Sequence, residues 1–74
     1  MMDEVDLHGT RHEEVARKLE NFLYQHIQKG TSEVKVITGK SPEMKKIVFD
    51  IVEQYKMSAT EEWNNFGCLI INMK

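Results

Sequence analysis

The sequence predicts a two-layer α/β fold of the α+β kind, βαβαββ, with two helices on one face of a four-stranded mixed sheet. Three observations carry this prediction. Apolar residues alternate with polar ones, or run unbroken, in four short stretches; they recur at helical spacing in two longer ones; and each helical stretch opens on a start signal.

Val5-Asp6-Leu7-His8 alternates apolar and polar and stops at Gly9, which gives a short first strand. Thr10, with Glu13 three residues later, forms a capping box in which each side chain can satisfy a free backbone N–H at a helix start. Val15, Ala16, Leu19, Phe22, Leu23 and Ile27 then recur at steps of three and four, and Lys29-Gly30 supplies a cation and a left-handed stop. Helix one therefore runs from about Arg11 to Gln28. Glu33 to Thr38 alternates again, with Val34 and Val36 on one face and Lys35 and Ile37 on the other, before Gly39 ends strand two. Ser41-Pro42-Glu43 opens helix two with a hydroxyl cap, a proline suited to the first turn and an acid at the positive end of the dipole. The stripe Met44, Ile47, Val48, Ile51, Val52 and Tyr55 follows and fades at Lys56.

Met57 to Trp63 is polar and suits a sheet edge, whereas Cys68 to Met73 is nearly all apolar and suits a position between two neighbours. Asn64 to Gly67 reads as the hairpin loop between them. Right-handed crossovers with both helices on one face make strands one, two and three progress in one direction. The hairpin strand then fits between two and three, giving the order 1-2-4-3 with strand four antiparallel.

At 74 residues the chain is expected to be one domain spanning 1–74, because a second core would leave each half below the ~40 residues at which chains usually need staples or partners. The single cysteine forms no internal disulfide, which excludes a disulfide-stapled secreted mini-protein. No apolar run approaches the ~20 residues that span a bilayer, and the acidic start resembles no signal peptide. A soluble, cytoplasmic protein without membrane contact is the expectation. The net charge of −2 offers no overall footprint for nucleic acid, so any such footprint has to be local.

In the 1-2-4-3 order the carboxyl ends of strands one and two deliver Asp6-Leu7-His8-Gly9 and Thr38-Gly39-Lys40-Ser41 to one edge. Each leads into a helix start, so two sets of free N–H groups and two positive dipole ends face one crevice, the general construction of a phosphate site. Arg11, Lys40, Lys45 and Lys46 lie in or near those first turns, while Asp50, Glu53, Glu61 and Glu62 are expected elsewhere, leaving a local basic patch. Gly39-Lys40-Ser41 imitates the end of a P-loop, but that motif needs a glycine where Val34 stands, so nucleotide triphosphate hydrolysis is rejected. His8 and His12 straddle a loop-to-helix junction and lack further ligands for a tetrahedral metal set. No cofactor motif is present, and a divalent-metal requirement is not legible in the sequence.

Val5-Asp6-Leu7-His8-Gly9, an amphipathic helix and Val36-Ile37-Thr38-Gly39-Lys40 together resemble the Smr (small MutS-related) domain family, over essentially the whole chain. The first family signature resembles Leu-Asp-Leu-His-Gly, with Val5 here for Leu. The second resembles Thr-Gly-x-Gly or His-Gly-x-Gly, with Ser41 here in place of its second glycine. The resemblance implies a βαβαββ fold and an activity of nicking DNA or cleaving RNA, with Asp6 and His8 as the catalytic pair beside the glycine loop. Substrate phosphate would be held by Gly9, Arg11, His12, Thr38, Gly39, Lys40 and Ser41. His8 suits general acid–base work because an unperturbed imidazole titrates at ~6.5, with Asp6 two residues away on the same strand face to orient it.

Each residue also has a purely structural reading. His8 can bond loop backbone while Asp6 pairs with a lysine, and a tight turn with an N-cap needs much the same residues as a phosphate loop. A non-catalytic adaptor for nucleic acid or a protein partner is accordingly the alternative function. The uncovered sheet face is expected to carry Lys35, Ile37, Thr60, Cys68, Ile70 and Asn72, a mixed surface that suits a monomer or a weak dimer.

Overall fold

The computed structural model of the chain describes residues 2–62 and 65–74, residues 65 and 66 by their backbone alone. Elements follow in the order β1 (Glu4–Asp6), α1 (His12–Lys29), β2 (Glu33–Ile37), α2 (Pro42–Gln54), β3 (Ser58–Glu62) and β4 (Asn65–Asn72). They form a four-stranded sheet of order β1-β2-β4-β3, with β1 parallel to β2 and β4 antiparallel to both its neighbours. This is the order expected from the apolar fourth strand: Leu69 and Ile71 are fully buried, each opposite a β2 valine on one side and a β3 residue on the other.

Alternation along each strand decides which face is covered. Val34 and Val36 of β2 and Leu69 and Ile71 of β4 join one core cluster with Val15, Leu19 and Leu23 of α1 and Met44, Val48, Ile51 and Val52 of α2. Each such side chain contributes about 1.5–3 kcal/mol by leaving water. Ser41 caps α2 as expected, its Oγ accepting from the Met44 N–H at 3.1 Å, with Pro42 beginning the helix.

Three local expectations in the helices are corrected. The Thr10–Glu13 capping box is not made: the N-cap of α1 is Arg11 and no side chain caps it. The reason lies upstream, where Thr10 N–H donates to Leu7 O at 2.9 Å and is consumed in closing a tight turn, moving the helix start one residue on. Ile27 is exposed and His26 takes its place in the interior, lying against the Phe22 ring with Nδ1 3.3 Å from Thr31 Oγ1 and 3.5 Å from Asp3 Oδ2. The chain returning from α1 to β2 brings Thr31 to the His26 side of the last turn, and the segment before β1 brings Asp3. Tyr55 likewise leaves the α2 stripe, because the helix ends at Gln54 and Tyr55 serves as its C-cap.

The third and fourth strands differ at their joint. β4 begins at Asn65, inside the expected 64–67 loop, and the register breaks where Glu61 faces Leu69 but Glu62 faces Asn65. Trp63 and Asn64, the remainder of that expectation, lie outside the described residues. On the face without helices Cys68 is buried rather than open: its small side chain is shaded by Ile37 opposite and by the Lys35–Glu62 ion pair, 2.8 Å, near which the thiol sits. No helix among the described residues is long and apolar enough to cross a membrane.

Candidate nucleic-acid interface

β1 is only three residues long, and the parallel ladder continues one bond further, from Leu7 N–H to Ile37 O at 2.8 Å. Beyond it the chain reverses through Leu7-His8-Gly9-Thr10, closed by the Thr10-to-Leu7 hydrogen bond with Gly9 at φ 80. A positive φ at the third position of such a turn is the conformation glycine supplies without strain. His8 thus stands on a turn, exposed, instead of on the strand face. That corrects the expected Asp6 geometry: Asp6 Oδ1 accepts from the backbone N–H of His8 at 2.9 Å, so the carboxylate braces the turn and not the imidazole ring.

The β2 turn is braced from the other side. Thr38 is buried, and its Oγ1 donates toward Gly39 O at 2.7 Å and Gly67 O at 3.2 Å. The backbone N–H groups of Thr38 and Gly39 also donate to Gly67 O, at 2.8 and 3.0 Å, so β4 anchors the turn by three bonds to one carbonyl. Gly39 has φ 71, and a Cβ built on it would lie 2.9 Å from His8 Cδ2. The two turns therefore touch, with the imidazole occupying the space a side chain at 39 would fill. Neither ring nitrogen of His8 has a hydrogen-bond partner among the described residues.

Helix starts complete the edge. His12, the first residue of α1, has Nδ1 3.7 Å from Oε2 of Glu43 in the first turn of α2, so the two N-termini lie side by side. Each of the two touching turns leads directly into one of these helices, whose start supplies free N–H groups and a positive dipole end. Among the described residues no group of three or more His, Cys, Asp or Glu side chains could hold a metal ion.

The basic patch is smaller than expected. Arg11 lies 3.8 Å from Glu13, Lys45 bonds Glu61 at 2.9 Å, and Lys46 bonds Asp50 at 3.0 Å. The carboxylates assigned elsewhere are brought back by the helical i,i+4 step in one case and by packing of α2 beside β3 in the other. Lys40, exposed after Gly39, has no carboxylate partner among the described residues. Nor does Lys18, which the sequence reading passed over. Its Nζ reaches back along α1 to donate to Thr10 Oγ1 at 3.5 Å. The signal for it is the backward lean of helix side chains, which carries a long residue toward the helix start.

A family model for the Smr domain matches residues 5–74. Among solved structures, the Smr domain of Thermus thermophilus MutS2 superposes with a TM-score of 0.89 at 18% identity, covering 99% of each chain. The SMR domain of NEDD4-binding protein 2 superposes with a TM-score of 0.76 at 23% identity, covering 100% of this chain and 88% of that one. No curated protein matches the chain in sequence.

Proposed function

The chain belongs to the Smr domain family, and from that premise we propose that it binds nucleic acid where the β1 and β2 turns meet and cleaves phosphodiester bonds there as an endonuclease on DNA or RNA. The observation that carries the reading is the contact between the His8 imidazole and Gly39. It puts an imidazole with unengaged ring nitrogens on the two turns that lead into α1 and α2, and helix starts of this kind stabilise a phosphate.

In the proposed reaction a water oxygen attacks phosphorus in line with the leaving oxygen. The new P–O bond forms as the bridging one breaks, His8 accepts the proton of the attacking water, and the leaving oxygen takes a proton from solvent. Lys40 and the N–H groups of the first helical turns stabilise the charge gathering on the phosphoryl oxygens. Asp6 acts by holding the His8 turn through its bond to the His8 N–H. Gly9, Thr38, Gly39 and Ser41 shape the cradle, with Arg11 and His12 at its rim.

The test is incubation of the purified protein with supercoiled plasmid and with structured RNA. Cleavage that is lost in His8→Ala is the expected result, and cleavage unchanged in that variant removes His8 from the mechanism. A second reading, a non-catalytic adaptor, is favoured by the carboxylates paired with Arg11, Lys45 and Lys46 and by Ser41 in place of the second glycine. It predicts salt-sensitive binding with no cleavage of either substrate.

A further inference from the structure

In and around the edge just described, most cations already face a carboxylate at 2.9 to 3.8 Å: Arg11, Arg17, Lys45 and Lys46. Lys18 and Lys40 do not, among the described residues. Lys18 Nζ is anchored on Thr10, the residue that closes the His8 turn, and Lys40 follows Gly39, on which the His8 ring rests. One ammonium group thus comes from the α1 side of the imidazole and the other from the β2 turn that touches it. Lys29, the last residue of α1, and Lys56 and Lys74, just past the ends of α2 and β4, also have no carboxylate among the described residues and lie at the opposite end of the sheet.

We infer that the edge grips a single strand of nucleic acid through two phosphates, with Lys18 and Lys40 each facing one, so that Lys18 is a substrate-binding residue. This rests on the nucleic-acid reading of the site proposed above. Duplex DNA carries one charge per ~1.7 Å of axis, and proteins that hold it firmly neutralise roughly 6–10 phosphates. Two cations among the exposed carboxylates of Asp6, Glu13 and Glu43 match a far smaller footprint, and those acids would repel a second strand. A single strand presents fewer charges and can turn two phosphates toward the paired ammonium groups.

The closing experiment is a fluorescence-anisotropy titration with labelled oligo-uridylate, oligo-thymidylate and a duplex of the same length, repeated across salt. Uridylate and thymidylate share the phosphodiester, so tighter binding of one identifies RNA or DNA as the preferred strand. Two contacts on a single strand give a log–log salt slope of about −1.4, an affinity loss of about sevenfold between about 50 and about 200 mM salt. Lys18→Gln, at an exposed position, should reduce that loss to about two- to threefold. Lys29→Gln, at the other end of α1, should leave it unchanged. A slope unaltered by Lys18→Gln, or a duplex bound more tightly than either strand, overturns the two-phosphate footprint while nucleic-acid binding stands. No salt-sensitive binding of any probe overturns the proposed function itself.

Discussion

The His8 imidazole lies over the α-carbon of Gly39, its Cδ2 2.9 Å from where a Cβ at that position would stand. Two turns far apart in the sequence are fitted to one another at this point, and the fit depends on glycine twice, for its φ of 71 and for its missing side chain. Gly9, at φ 80, depends on it once, since a Cβ there meets nothing within 4 Å. Gly39→Ala should therefore cost more than Gly9→Ala. The left-handed backbone costs about 1–2 kcal/mol in either variant, and displacing the His8 ring adds about 1 kcal/mol at position 39. Thermal melts resolve this, at about 4–8 °C per kcal/mol in a chain of this size. Combining Gly39→Ala with His8→Ala should bring its cost down to that of Gly9→Ala; an unchanged cost would show that the ring is not what position 39 accommodates.

Thr38→Val should destabilise the domain by about 1–2 kcal/mol, because the buried hydroxyl that donates to Gly39 O and Gly67 O is removed. The shape is nearly preserved, so the effect reads the two hydrogen bonds. Urea denaturation should give a lower midpoint with an unchanged slope, together with shifted amide resonances for Gly39 and Gly67. A midpoint equal to wild type contradicts the anchoring of the turn on β4.

Leu69→Lys tests the strand order. Leu69 is fully buried on β4 between Val36 and Glu61, and an unpaired charge there should cost about 3–5 kcal/mol, comparable to the whole stability of a small domain. Loss of a cooperative melt is expected. An unchanged melting curve contradicts a central β4.

Those strand and helix assignments were legible because they depend on local pattern. Alternation at Val34 and Val36, the unbroken run from Cys68 and the Ser41-Pro42-Glu43 start each carry their own signal, and right-handed crossovers do the rest. What stayed hidden depends on which segments meet in space. Lys45 and Glu61 are 16 positions apart, and nothing local announces that packing α2 beside β3 will pair them. His26 looks like an exposed polar residue until Thr31 and Asp3 arrive beside it. The family signatures bring Asp6, His8 and Gly39 into view as residues, but the contact of His8 with Gly39, and the turning of Asp6 toward backbone, follow from where β1 ends.

Stability should decline in alkaline solution for two nameable reasons. The Glu62 carboxylate, bonded to Lys35 on the uncovered face, holds that ammonium above the ordinary lysine value. Partial burial, reinforced by Glu20, raises the Tyr55 phenol above the ordinary tyrosine value. Both groups bind their proton more tightly folded than unfolded. Their contribution is complete below the unfolded values, about 10 for Tyr and about 10.4 for Lys, and is lost as pH rises through the folded ones. Denaturant midpoints measured from about pH 9 to about pH 12 should fall, and Glu62→Gln should fall less steeply because Lys35 is no longer shifted. Parallel curves for the two proteins would contradict the Lys35–Glu62 contribution.

The central claim is that nucleic acid is engaged where the β1 and β2 turns touch, and amide chemical-shift mapping with a short single-stranded oligonucleotide tests it most directly. The account predicts the largest changes at His8, Gly9, Gly39, Lys40 and Ser41, with smaller ones at Thr10 and Lys18, and none on β3 or at the far ends of the helices. Changes concentrated on Lys35, Thr60 and Ile70 of the uncovered sheet face, with the His8 and Gly39 amides unmoved, would contradict it.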